Sequence, residues 1–217
     1  FKKTIKMIDL VILGVGFPDV IRVIENINGG YKKKINFIGF LDDNKKILGK
    51  KFSGYPVLGN LSWLKRNKKI FCNNSIASSM QIRKEVTEKI NKYKPKFYSL
   101  IDPSINISNT KIEKGVTICS GSNIGHRSHV KSHTIICNNV NIGHDVNIGS
   151  YCFFAAGSSV LGKVKVSDGC YIGSNSSCYP GIKIGKWSTV GMSSAIISNV
   201  ESYTTYLGVP AKKVWPK

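Results

Sequence analysis

Four histidines fall within 19 residues of this chain: His126, His129, His133 and His144. One of them is followed by an acid, His144-Asp145, in the stretch NNVNIGHDVNIGSY from Asn138 to Tyr151. An imidazole beside a carboxylate is the composition of a general base. The carboxylate fixes the tautomer and stabilises the imidazolium as it forms. His126 has the opposite neighbour, Arg127, and a nearby cation lowers imidazole basicity. His144 is therefore the candidate base and Asp145 its partner. Three histidines could instead hold a metal, but the spacing of His126, His129 and His133 matches no ligand set, so no metal is expected.

These residues sit inside a repeat. Every sixth residue from Ile112 to Ile196 is apolar, fifteen positions without an insertion, and the residue four further on is small or β-branched from Val116 to Val200. A period of six with two inward positions predicts a hexapeptide β-helix, whose short strands bury their faces only by stacking. Three hexads close one triangular coil of 18 residues, so the repeat makes about five coils. Residues 18 apart then stack at roughly 4.7–4.9 Å. His126 and His144 share such a column, and Gly162 and Pro180 continue it. Gly162 clears the space over His144 for a substrate backbone or a thioester. The same rule stacks Cys119 over Cys137 at positions next to turns and Cys152 over Cys170 in the core. Periodicity does not give the hand of the coil; parallel crossovers are generally right-handed. Most residues of such a repeat need no role beyond scaffolding, and a non-catalytic sugar- or nucleotide-binding scaffold is the competing reading.

The first hundred residues follow another pattern. IDLVIL reads as a buried strand, GVGFPD as a Gly turn, and Val20, Ile21, Val23, Ile24 and Ile27 as one helical face that Gly29-Gly30 stop. Pro18 suits a first helical turn. NFIGFLDD is a second strand ending in two acids, GYPVLGN a turn-rich segment, and Trp63 lies in a short helix. KIFCNN is another strand, SIASSMQIRKEVTEKINKY a long Ser-capped helix, and KFYSLI closes the unit. Alternating strands and helices predict a small parallel α/β domain over 1–101, followed by the β-helix and its tail over 102–217. A Gly turn after a first strand is a phosphate site in many folds, but Asp19 puts a negative charge where a phosphate would lie. Asp42 and Asp43, at a strand end, could accept hydrogen bonds from a ribose or a base.

The chain has 217 residues, 41% of them hydrophobic, and a net charge of +20. Residues 1–100 carry 21 Lys and Arg against 7 Asp and Glu. Such a surface attracts anions such as nucleotides or coenzyme A. The lysines occur as scattered groups such as Lys32-Lys33-Lys34 with few aromatics between them, so no nucleic-acid reader is expected. No apolar run is long enough to span a membrane, and KKTIKMIDLVIL runs into a Gly turn and not a cleavage site. Six cysteines without a CxxC read as reduced core thiols of a cytoplasmic protein.

Together GFLDD, GYPVLGN, CNNSIASSMQIRK, the hexads with IGHD, and the closing YLGVPAKKV resemble the sialic acid O-acetyltransferase and bacillosamine N-acetyltransferase family, the NeuD/PglD-like sugar acyltransferases. The resemblance covers nearly the whole chain. It implies a left-handed β-helix, a homotrimer with active sites between β-helices, and transfer of acetyl from acetyl-CoA to a nucleotide-linked amino sugar, with O-transfer as the alternative. It implies a base at His144 supported by Asp145. It places the nucleotide-linked sugar near Gly14, Gly16, Phe17, Pro18, Asp42, Asp43 and Gly59, and acetyl-CoA near Phe153, Gly162, Ser174 and Met192. Lys163, Lys212 and Lys213 are candidates for the CoA phosphates. Two positions depart from the family: its Gly-rich turn is GVGFPD here, and a histidine that contacts the acetyl group is replaced by Phe153. That loses one hydrogen bond to the thioester, while backbone N–H groups can still support the oxyanion.

Overall fold

The computed structural model describes residues 7–29 and 34–216, so the expectations that fell on Gly30, Lys32 and Lys33 lie outside the described residues. The chain divides into two compact units, residues 1–102 and 103–217.

The first unit is a parallel sheet with helical crossovers. Strand β1 (Ile8–Leu13) lies between β2 (Ile35–Leu41) and β5 (Phe71–Asn74), parallel to both. The sheet order is β3 (Lys51–Phe52), β4 (Tyr55–Gly59), β2, β1, β5, β6 (Lys96–Phe97). Leu10 to Leu13 are fully buried, as a central parallel strand requires. Helix α1 (Asp19–Asn28) turns Val20, Ile21, Val23, Ile24 and Ile27 inward. Helix α2 (Met80–Asn91) starts at Ser79, whose Oγ accepts from the Ile82 N–H at 3.2 Å. Asp102 belongs to this unit: it is buried, and its Oδ2 accepts from Asn26 of α1 at 2.6 Å.

The segment GYPVLGN corrects the expectation of a turn-rich stretch. Tyr55–Gly59 is strand β4, pairing parallel to β2 and antiparallel to β3. Pro56 stands in the second strand of the sheet, opposite Lys51 of the two-residue edge strand β3. Gly39 makes room for it: a Cβ there would stand 2.4 Å from the Pro56 carbonyl oxygen.

The second unit is a parallel β-helix. Fifteen two-residue strands run from Lys111–Ile112 to Ala195–Ile196, the first twelve each pairing with the strand 18 residues on. They form three faces, whose outward columns include Asn123, Asn141 and Ser159 on one, His129, Asn147 and Lys165 on the second, and Ile135, Phe153 and Tyr171 on the third. Of the fifteen apolar hexad positions all but Ile112, on the first coil, are buried, and the small positions from Val116 to Val200 are buried throughout. Some of those small positions are hydroxyls for a reason. Ser122, Ser128 and Thr134 each donate to a corner carbonyl at 2.7–2.9 Å and accept a backbone N–H from the next coil at 3.1–3.2 Å. Corner groups that no strand can pair are thereby satisfied. A hairpin, Thr204–Gly208 with Ala211–Pro216, closes the unit.

Every corner turns on one left-handed residue. From Asn109 to Ser193, each sixth residue has φ between 54° and 76°. Glycine, asparagine and aspartate suit this conformation. Arg127, His133, Tyr151, Lys163, Trp187 and Ser193 occupy it as well.

Candidate active site

One corner column carries the predicted base. His144 Nδ1 lies 2.7 Å from Asp145 Oδ2. The imidazole therefore presents Nε2 as its free nitrogen. The glycine one coil on makes room for that nitrogen: a Cβ at Gly162 would stand 2.7 Å from Nε2. The coils are bound to each other along this corner, with the Asp145 N–H donating to His126 O and the Lys163 N–H to His144 O, both at 2.9 Å. The Gly162 N–H takes no partner among the described residues, and Gly162 O accepts from the Gly181 N–H at 2.9 Å.

Arg127 does something the sequence reading did not assign to it. It was expected to act on His126, its neighbour along the chain. In the structure its Nε donates to Asp145 Oδ1 at 2.7 Å and its Nη2 to Asp145 Oδ2 at 2.9 Å. The signal was present: Arg127 and Asp145 are 18 residues apart. The hydrogen bond from Arg127, and after it that from His144, holds the Asp145 carboxyl well below the usual carboxylate range.

His129 and His133 point to different partners. His129 Nε2 lies 2.8 Å from Glu113 Oε1, and Glu113 Oε2 accepts from the Ser132 N–H and hydroxyl at 3.1 and 2.7 Å. Partial burial pushes Glu113 up, but the bonds from Ser132 and His129 outweigh it and its net shift is downward. His133 is buried and stacks on Tyr151 at 5.3 Å. Among the described residues no three His, Cys, Asp or Glu are grouped as a metal would need.

The residues assigned to acetyl-CoA fall into two sets. Gly162 and Lys163 stand at the His144 corner, and Lys163 is exposed. Phe153 lies on another face, stacked on Tyr171 at 5.6 Å, and Ser174 and Met192 lie at the corner that ends it, one coil apart. Met192 is 77% exposed. Lys213 is engaged with Glu201 at 2.5 Å, and that bond raises its pKa. Lys212 is exposed on the closing hairpin.

In the first unit, a cavity of about 300 Å³ opens at the C-terminal ends of β1, β2 and β5. Gly14, Gly16, Asp42 and Asp43 line it, facing Ile76, Ala77 and Ser78. This is where open parallel sheets bind ligands. Gly14 is left-handed at φ 81°, and a Cβ there would meet Ile76 at 2.7 Å; at Gly16 a Cβ would meet nothing within 4 Å. Arg83 was not anticipated: it is fully buried and donates from Nη1 to Ile76 O at 2.7 Å, bracing the far wall. A wider cavity of about 1200 Å³ shares Asp42, Asp43 and Leu61 with the first and adds Gly59, Trp63, Lys65, Arg66 and Tyr93. Phe17 is packed in the core and Pro18 caps α1 at the surface; neither lines either of these two cavities. Asp43 is tied on both oxygens, to the Leu61 N–H at 3.0 Å and Lys89 at 2.5 Å. Burial raises its pKa, but those two bonds and the Lys89 charge bring it below the ordinary value. Asp42 is held by one oxygen, which accepts from the Asn44 N–H at 2.9 Å.

No protein-family model matches the sequence, and no curated relative does. Solved structures match across almost the whole chain. The acetyltransferase domain of PglB from Neisseria gonorrhoeae FA1090, in complex with acetyl coenzyme A, is similar with a TM-score of 0.84 at 22% identity, over 96% of this chain and 100% of that one. PerB from Caulobacter crescentus, in complex with CoA and GDP-perosamine, gives 0.84 at 22% identity over 98% and 100%. WeeI from Acinetobacter baumannii AYE gives 0.83 at 21% over 96% and 100%. The chain thus shares the fold of these structures: an α/β unit followed by a left-handed parallel β-helix.

Proposed function

We propose that this chain is an acetyl-CoA-dependent acetyltransferase acting on the amino group of a nucleotide-linked amino sugar, a precursor of a cell-surface glycan. The observation that carries the reading is the His144 corner: Nδ1 is held by a carboxylate and Nε2 faces space cleared by Gly162. The fold it shares with structures holding acetyl-CoA, CoA and GDP-perosamine supplies the reactant classes.

In this reading His144 Nε2 takes a proton from the sugar amine as the nitrogen attacks the thioester carbonyl carbon. Asp145 steadies the imidazolium. The Gly162 N–H stabilises the oxyanion of the tetrahedral intermediate, the task the replaced histidine at Phe153 does not share. The C–S bond then breaks, CoA leaves as thiolate, and the imidazolium returns the proton to sulfur. The crevice lined by Gly14, Gly16 and Asp42 would hold the nucleotide, with Asp42 accepting from ribose or base. Asp43, tied to Lys89, would shape the site, and the lysine-bearing mouth beside Trp63 would face the phosphates.

His144 stands at a different corner from Ser174 and Met192, so a CoA site using both sets draws on two copies of the chain. A homotrimer satisfies this. Sedimentation or light scattering should give close to three times the 23.9 kDa chain mass; a monomer that turns over would exclude the shared site. Buried reduced thiols fit a cytoplasmic location.

The test is acyl transfer read by mass spectrometry. Acetyl-CoA is mixed with UDP-, GDP- and dTDP-linked amino sugars, using the wild type and His144→Ala in parallel. We expect one acetyl group on one sugar and a loss of roughly 10²–10⁴-fold in kcat for the variant. Retention of more than about a tenth of the rate would remove His144 from the mechanism.

A further inference from the structure

Arg127 is left without a role by the reaction as written. It occupies the corner column one coil before Asp145, at φ 59°, a conformation that costs an arginine energy. Its side chain is 67% exposed, yet it forms a two-pronged contact with both oxygens of Asp145. One of those oxygens, Oδ2, is also the atom that holds His144 Nδ1. The His144 and Asp145 side chains are 58% and 30% exposed. A surface ion pair of that kind gains little over water and is loosely held by itself. A guanidinium fork fixes a carboxylate in orientation as well as in place.

We propose that Arg127 is a positioning residue of the acyl transfer that acts through Asp145. It locks the carboxylate so that Oδ2 keeps the Nδ1–H tautomer of His144 and leaves Nε2 as the acceptor beside Gly162. It also shares the carboxylate's charge. The inference rests on His144 being the base. Without Arg127 the carboxylate is free to turn, and the base spends less time in its working orientation. Its charge is also undivided, which favours the imidazolium, so the base is lost at a higher pH than in the wild type. The other titratable groups at this corner are His126 on the coil before and Lys163 on the coil after, and every variant below keeps both.

The experiment compares Arg127→Gln, Arg127→Lys, Asp145→Asn and the double variant Arg127→Gln/Asp145→Asn. Steady-state constants are taken across pH at fixed ionic strength. The histidine ring protons are titrated by NMR, with His144→Asn for assignment. Arg127→Gln should lower kcat by roughly tenfold, the scale of a misoriented catalytic group, while changing KM for either substrate by less than about twofold. The acid limb of its kcat/KM profile should move to higher pH, and Arg127→Lys should restore part of both effects. In the Asp145→Asn background the loss should shrink to less than about twofold, because the arginine has nothing left to position. An unshrunken loss there, or a rise in KM for acetyl-CoA alone with the pH profile in place, would overturn the inference and make Arg127 a substrate ligand. The NMR titration needs no turnover. If the wild type transfers no acetyl group to any acceptor, an upward move of the His144 midpoint in Arg127→Gln still supports the coupling, and an unchanged midpoint defeats it.

Discussion

A methyl group added at Gly162 would sit 2.7 Å from His144 Nε2 and 2.9 Å from Cε1. Gly162 is not in the left-handed region, so alanine fits its backbone, and the atoms it meets are the end of an exposed side chain that can turn aside without disturbing the core. Gly162→Ala should therefore melt within about 2 °C of the wild type. Its kcat/KM should fall by roughly 10²-fold, because the imidazole is pushed from its place by about an ångström. A fully active Gly162→Ala would show that Nε2 needs no clearance. At this scale His144, Asp145 and Gly162 were legible because each follows from residue type plus an 18-residue step. Arg127 obeys the same step. It was misassigned by weighing its neighbour along the chain, when in a β-helix the neighbour on the next coil is the nearer chemical partner. Arg83 carried no comparable signal, since nothing in a helical pattern says that its arginine is buried behind a loop.

At the scale of elements the coil corners are the informative parts. Gly169 and Gly181 are both corner residues with left-handed φ of 72° and 76°. A Cβ at Gly181 would meet nothing within 4 Å, whereas one at Gly169 would stand 2.2 Å from the Trp187 ring. Gly181→Ala should cost about 1–2 kcal/mol, the backbone penalty alone. Gly169→Ala should cost about 1–3 kcal/mol more, because the ring must move, and the difference in melting temperature between the two measures it. Equal melting temperatures would mean that the Trp187 stack contributes nothing. The inward hexad pattern and both helices of the first unit were readable from periodicity. Strand β4 was not: Gly54, Pro56 and Gly59 read as turn residues, and only its pairing with β2 overrides that local preference.

Over the whole chain, chemistry and burial separate cleanly in the cysteines. None of the six is in a disulfide and all are buried, and burial alone pushes the Cys72 thiol up to about 12. Burial, with a small addition from the charge of Cys170, takes Cys178 to about 12 as well. A disulfide-exchange reagent at neutral pH should label none of them in the native protein and all six after unfolding. Rapid native labelling of any one would place it on a surface that the fold as described does not have. The sequence by itself determined the two-part organisation, the six-residue repeat, the inward residues and the pairing of His144 with Asp145 that makes it the candidate base, because each rests on local pattern or on a constant step along the chain. Tertiary structure alone decided which side chains meet. Coils brought Arg127 to Asp145, and loop packing brought Ile76 opposite Gly14. The winding of the helix set the His144 corner apart from the Met192 corner. The 18-residue step places stacked residues such as Arg127 and Asp145 on one column, but rotamers and the path of loops choose which atoms bond, and residue order constrains neither until the chain has packed.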